Sequence, residues 1–351
     1  NLPPLNQPQL MKPSILITAA LILAVTSVHA EVRTFTSSAG TTMRGELVSV
    51  KGDTVTLKKD DGTPLTLKLA AFSRVDQAWL QTQAAAPPTD GSDPTKATAA
   101  SPFANSLGMK FVPVPGTNVL MCIHETRRRD YRAHALASSG VDGEWKKLKT
   151  GSLSQAEEDE HPVLFVSWED AKAFCAWLGQ KESRTYRLTT DREWSCAVGL
   201  GDREQPTASP ESLSHKIPGV YPWGTDWPIP AGAGNYYDTT RVKAEKVKKT
   251  DESAHMEGYL EGYGYTDGFA GTSPVMKFKP NALGIYDLGG NVWEVCEDSF
   301  SPTEAEVVYR GSSYNFDGKN NLLSSARVHQ PKTARLGHAG FRVVLELTKK
   351  P

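Results

Sequence analysis

The sequence predicts an α+β protein in two parts: a small all-β barrel, then a larger domain with little regular secondary structure. Three observations carry this. Residues 31–83 hold short period-two alternations separated by turn residues, the mark of strands with one buried face. Beyond residue 104, helix starts and strands are few and short. From Gly201 to Asn281 the chain is rich in Gly, Pro, Tyr and Trp and almost aperiodic, and a loop that long needs something to hold it. Of the 351 residues 39% are hydrophobic and 23% charged, which excludes wholesale disorder and a collagen-like fibre. Lys plus Arg is 39 against 40 Asp plus Glu, so no basic excess points to nucleic acid.

Taken in order, residues 1–10 show no periodicity, and Met11–Ala30 reads as a signal peptide. Lys12 is its positive start, Ile15 to Val25 its apolar run of 11 residues, and Val28-His29-Ala30 its small-residue cleavage site. The run is short of the roughly 20 apolar residues of a spanning helix. No Cys follows it, so a lipoprotein anchor is not supported. The expectation is export to a periplasmic or extracellular location, a mature chain from Glu31, and no transmembrane segment in it.

In the barrel region Val55 and Leu57 alternate with Thr54, Thr56 and Lys58, and Leu65, Leu67 and Leu69 with Thr66 and Lys68. Lys51-Gly52-Asp53 and Asp60-Asp61-Gly62-Thr63 supply the turns, and Ser73 the cap of a short helix through Trp79 and Leu80. Residues 84–104, opening Ala-Ala-Ala-Pro-Pro-Thr-Asp-Gly-Ser, form a flexible linker. In 105–347, Ser167-Trp-Glu-Asp170 is a capping box, with Ala171, Phe174, Cys175 and Leu178 on one helical face behind it. Thr190-Asp-Arg-Glu193 opens a second helix that stops near Gly199. A third spans Thr126 to about Ala137, with Tyr131 and Leu136 inward. Strands are expected at Asn291–Cys296, Val307–Arg310 and Phe341–Leu347. Cys122, Cys175, Cys196 and Cys296 allow three full pairings, and their order does not choose among these or buried free thiols. His161 and His338 stand singly and read as structural hydrogen-bonders.

The segment 31–83, with its Lys-x-Gly-Asp-x-Val-x-Leu-Lys pattern, resembles the Src-homology-3-like module of the actin-patch adaptor type. The larger domain carries His161-Pro-Val-Leu-Phe-Val-Ser-Trp168, Tyr186-Arg-Leu-Thr-Thr-Asp-Arg-Glu-Trp194, Tyr221-Pro-Trp-Gly224 and Pro280-Asn-Ala-Leu-Gly-Ile-Tyr-Asp287. Gly290-Asn-Val-Trp-Glu294, Tyr309-Arg-Gly-Ser-Ser-Tyr314, Ser325-Ala-Arg327 and Gly340-Phe-Arg342 follow. In this order and spacing they resemble the formylglycine-generating enzyme, or sulfatase-modifying factor, family over residues 105–347. The resemblance implies a decorated C-type-lectin-like domain. Active members of that family oxidise a sulfatase cysteine with copper(I) and oxygen, using two cysteines five positions apart. Soft thiolates suit copper(I). Here Phe316 stands at the first position and Asn321 near the second, and no cysteine follows Cys296. No copper is therefore expected, and no catalytic residue is assigned. Ser313, Tyr314, Phe316, Asn321 and Arg327 remain as candidates for the cleft.

The resemblance also implies structural calcium. One site would use the side chains of Asn235 and Asp267 with the carbonyls of Tyr236 and Phe269. The other would use the side chains of Asp287 and Glu294 with the carbonyls of Gly290 and Val292. These are hard oxygen donors. The insertion from Asp238 to Gly262, with Arg241, Lys243, Lys246, Lys248 and Lys249, reads as a solvated basic face. Together these features point to an exported, non-catalytic binding member whose cleft takes a peptide, protein or glycan. The alternatives are an enzyme, either formylglycine-generating or another metal-dependent oxidase, and an envelope-structural protein tethered by the barrel.

Overall fold

Alternation in the first part builds a meander. The computed structural model describes residues 32–51, 53–84, 93–147, 155–245, 264–302 and 305–347. The signal segment, residues 85–92 of the linker and the Lys246, Lys248 and Lys249 part of the insertion lie outside the described residues. Strands β1 (Val32–Thr36), β2 (Thr42–Lys51), β3 (Thr54–Lys59) and β4 (Pro64–Lys68) pair antiparallel in chain order. Val55 and Leu57 point inward and are fully buried with Phe35, Phe72 and Leu80. Helix α1 (Arg74–Ala84) covers this core. Ser73 Oγ accepts from the Asp76 amide at 3.2 Å, and Asp76 in turn accepts from Arg33 Nη2 at 2.7 Å, tying the helix to β1. Ser37 bridges to Phe72, which returns the end of the meander to its first strand.

The linker is not flexible to its end. Phe103 is buried, and Phe103–Ala104 forms β5, paired with β6 (Lys110–Pro113). A five-stranded sheet runs β5-β6-β7-β13-β8, with β7 at Val119–Cys122, β8 at Tyr186–Leu188 and β13 at Val343–Glu346. A four-stranded sheet runs β11-β10-β9-β12, from β9 (Trp293–Ser299), β10 (Glu306–Arg310), β11 (Val328–Pro331) and β12 (Ala339–Phe341). The strand expected at Phe341–Leu347 is thus two strands in two sheets, and the chain changes sheet at Arg342.

The helices are α2 (Arg128–Ala137), α3 (Gln155–Glu158), α4 (Trp168–Glu182), α5 (Asp191–Ala197), α6 (Pro210–Leu213) and α7 (Thr239–Glu245). Both capping boxes form. Ser167 Oγ accepts from the Asp170 amide at 3.2 Å, and Thr190 Oγ1 from the Glu193 amide at 3.1 Å. The apolar face of α4, Ala171, Phe174, Cys175 and Leu178, is buried. Helix α2 starts later than expected because Thr126 is engaged elsewhere. Its amide donates to the Phe341 carbonyl and its carbonyl accepts from Val163. Leu136 is half-buried rather than inward. All four cysteines are free and buried. Among the described residues no helix is long and apolar enough to cross a membrane.

Candidate functional site

After β10 the chain turns sharply, with Gly311 at φ 97° and Ser312 at φ 67°. The turn folds the following string against the β9–β12 pair. Phe316 meets the ring of Trp293 edge-on at 5.6 Å and that of His338 at 5.8 Å. Tyr314 donates its hydroxyl to the Gly337 carbonyl at 2.9 Å and its amide to the Asn291 carbonyl at 3.0 Å. Phe316 is clamped through its backbone as well, since its carbonyl accepts from Tyr237 at 3.1 Å. Ser313 is fully buried and donates to Asn315 Oδ1 at 2.6 Å. Asn321 is half-buried and its amide closes a turn on the Gly318 carbonyl.

Arg327 is not a cleft residue here. Its guanidinium is buried and spent on Asp191 at 2.9 Å and Glu204 at 2.8 Å, beside Arg310, which also binds Asp191 at 2.6 Å. Arg241, by contrast, leaves the basic face assigned to it. Its guanidinium lies 4.8 Å from the Tyr314 ring and 5.6 Å from that of Tyr237. Burial, with the Arg241 charge added, holds the His338 imidazole below its ordinary value, so it stays neutral near pH 7. Among the described residues this group holds aromatic rings, the His338 imidazole, the Arg241 guanidinium, and the Ser313 and Tyr314 hydroxyls, both of which are already engaged in hydrogen bonds. Phe316 has no lone pair for a metal.

The first calcium set contains an unsatisfied acceptor. Asn235 is fully buried, and its amide donates to the Gly271 carbonyl at 2.9 Å and Asn291 Oδ1 at 3.2 Å. Its own Oδ1 receives no hydrogen bond among the described residues. Such an orphan is costly unless something else satisfies it. Asp267 sits on the adjoining loop, accepting from the amides of Tyr236 at 2.9 Å and Phe269 at 2.8 Å. Burial pushes its carboxyl up to about 7, against the pull of those amides, and the Asp238 charge adds to the rise. A carboxylate held against its own desolvation and bonded to the Tyr236 amide, with an orphaned amide oxygen on the preceding residue, is a donor set of the kind a hard cation takes.

The second set is differently engaged. Glu294 receives Arg342 Nε at 3.0 Å and Nη2 at 2.6 Å, and Trp194 Nε1 at 3.2 Å, so both its oxygens are taken. Asp287, at φ 54°, accepts from the Met276 amide at 2.7 Å, and burial pushes it up to about 6. The charge that Glu294 would give a cation is already met by Arg342, so these residues do not fit calcium as well as the first set. Glu125, which sequence reasoning missed, completes the group: it is fully buried and accepts from Asn291 Nδ2 at 2.6 Å. Burial, then the Asp287 and Glu294 charges, raise it well above the usual carboxylate range. Among the described residues, no three His, Cys, Asp or Glu side chains converge as a metal cluster. The first set escapes that pattern because it holds one carboxylate, one amide and two carbonyls.

Over 196 residues the chain is 33% identical to the inactive C-alpha-formylglycine-generating enzyme 2 of Bos taurus, covering 55% of this chain and 50% of that protein. It is 33% identical over 156 residues to the formylglycine-generating enzyme of Mus musculus, covering 44% and 32%. The chain thus spans half or less of the length of these curated relatives. A solved structure, PvdO from Pseudomonas aeruginosa, aligns at TM-score 0.43 and 22% identity over 65% of this chain and 80% of that one. Residues 90–347 match the sulfatase-modifying factor enzyme 1-like domain, and the chain belongs to that family.

Proposed function

We propose that this is an exported, non-catalytic member of the family that binds a peptide, protein or glycan through the Phe316–Tyr314–Arg241 surface. The observation that carries the reading is Phe316 itself. It stands where active members are expected to hold their first copper-binding cysteine, and its ring is packed between Trp293 and His338. All four thiols of the chain are buried, and burial raises the Cys122 thiol to about 12, which disfavours the thiolate a metal needs. The match to an inactive relative is in keeping with this. Calcium, held by Asn235 and Asp267 with the carbonyls of Tyr236 and Phe269, would supply a fixed positive charge that ties two loops together beside the cleft. The reading includes a C-type-lectin-like domain and an N-terminal Src-homology-3-like barrel.

The test is direct. The protein, supplied with copper, oxygen and a reductant, is incubated with a Cys-x-Pro-x-Arg sulfatase peptide and followed by mass spectrometry. The expected result is no formylglycine above the metal-only control, with peptide or glycan binding measured separately by array. Conversion above that control would sink the non-catalytic reading.

A further inference from the structure

We infer that Asp238 is a positioning residue that transmits cation occupancy at the Asn235–Asp267 site to the cleft, by capping the helix that sets Arg241 over Tyr314. This rests on the calcium reading above. Asp238 is fully buried and its two carboxylate oxygens serve two different elements. Oδ2 accepts the amide of Asp267 at 2.6 Å, on the cation-site loop. Oδ1 accepts the amide of Arg241 at 3.0 Å, and the Asp238 carbonyl accepts that of Val242 at 3.1 Å, so the residue is the N-cap of α7.

Two further contacts run alongside. Thr239 donates its amide at 3.3 Å and its hydroxyl at 2.9 Å to the Tyr265 carbonyl, and Thr240 and Thr266 pair through their hydroxyls at 2.8 Å. Helix α7 is a two-turn element, too short to be stable without its cap and its packing. Its Arg241 reaches the cleft by lying over Tyr314 and Tyr237 and donating Nη1 to the Ala270 carbonyl at 3.0 Å. The geometry therefore links loop, cap, helix and cleft in one chain of contacts. A cation that holds Asp267 in place fixes the donor on which one arm of Asp238 depends. Coupling of this kind acts through the differential stability of the two arrangements.

The experiment uses the full chain. Calcium binding is measured by calorimetry, and exchange of the Arg241 and Val242 amides is followed with and without calcium. The expected result is that saturating calcium slows their exchange about tenfold, in the usual range of site-to-site coupling. The variant Asp238→Ser keeps one oxygen to cap α7 and loses the second acceptor. It should still bind calcium and keep the calcium-free protection of α7, while its calcium response falls below about twofold. Bound calcium with unchanged wild-type exchange overturns the coupling alone, as does a full response in Asp238→Ser. Absence of calorimetric binding overturns both the coupling and the calcium reading. If Asp238→Ser unfolds, Asp238→Asn is measured in its place, with one neutral acceptor and the same expected loss.

Discussion

Arg342 closes on Glu294 at the residue where the chain passes from one sheet to the other, with 2.6 Å between Nη2 and Oε1 and both side chains almost wholly buried. The pair joins β9 to the junction of β12 and β13, where the chain passes between the two sheets. The guanidinium is completed by the carbonyls of Cys122 and Tyr286 at 3.1 and 2.9 Å. Its positive charge also moderates the buried carboxyl groups of Glu125 and Asp287.

Removing one partner leaves the other charge buried without compensation. Arg342→Met should lower stability by about 3–5 kcal/mol, read as a shift in the urea midpoint at unchanged m-value. The double variant Arg342→Met/Glu294→Gln should cost clearly less than the sum of the single changes. Strict additivity would show that the two residues do not act as a pair.

Gly290, named in the second candidate cation set, is fitted against Asn235 of the first. It lies at φ +81°, and a Cβ built there would stand 2.4 Å from the Asn235 carbonyl oxygen. Gly290→Ala combines left-handed backbone strain, about 1–3 kcal/mol for a non-glycine residue, with a backbone clash. It should destabilise by at least that much. It should also weaken calcium binding at Asn235, which calorimetry would show; a variant with wild-type melting temperature contradicts the geometry.

The Ser167 cap on α4 is local and its loss should be modest. Ser167→Ala removes the acceptor for the Asp170 amide and should cost about 1 kcal/mol, with Ser167→Gly costing less. Chemical denaturation of the two variants side by side checks the order.

His124 sets a pH dependence. It is buried, and burial, then the Arg127 charge, pushes it down to about 3 from its ordinary 6.5. Between those values the unfolded chain carries a proton that the folded one does not, so stability falls as pH drops from about 6.5 toward 3. Asp287, raised to about 6, works in the opposite sense: its contribution is complete below its unfolded 3.8 and is lost as pH rises through 6. His124→Asn can retain a donor to the Glu125 carbonyl while removing the titration. Its urea midpoint should fall less steeply than that of the wild type between pH 6.5 and 4, and parallel curves would refute the assignment.

Features that depend on near neighbours can be read along the chain. The helix starts at Ser167 and Thr190, the buried faces of α4 and β3, and the absence of a thiol at Phe316 were all legible. Capping needs residues three apart, and strand alternation needs residues two apart. The ordered strings from His161 to Arg342 were enough to point to the family. The fold, by contrast, sets the break of Phe341–Leu347 at Arg342, because Glu294, 48 residues away, captures that side chain. It also decided that Arg241 lies on Tyr314 instead of in solvent and that Arg327 is spent on Asp191 and Glu204. A charged residue looks the same in sequence whether water or a buried partner solvates it. Which of the two applies is set by contacts between distant segments, where desolvation makes the choice of partner a matter of several kcal/mol.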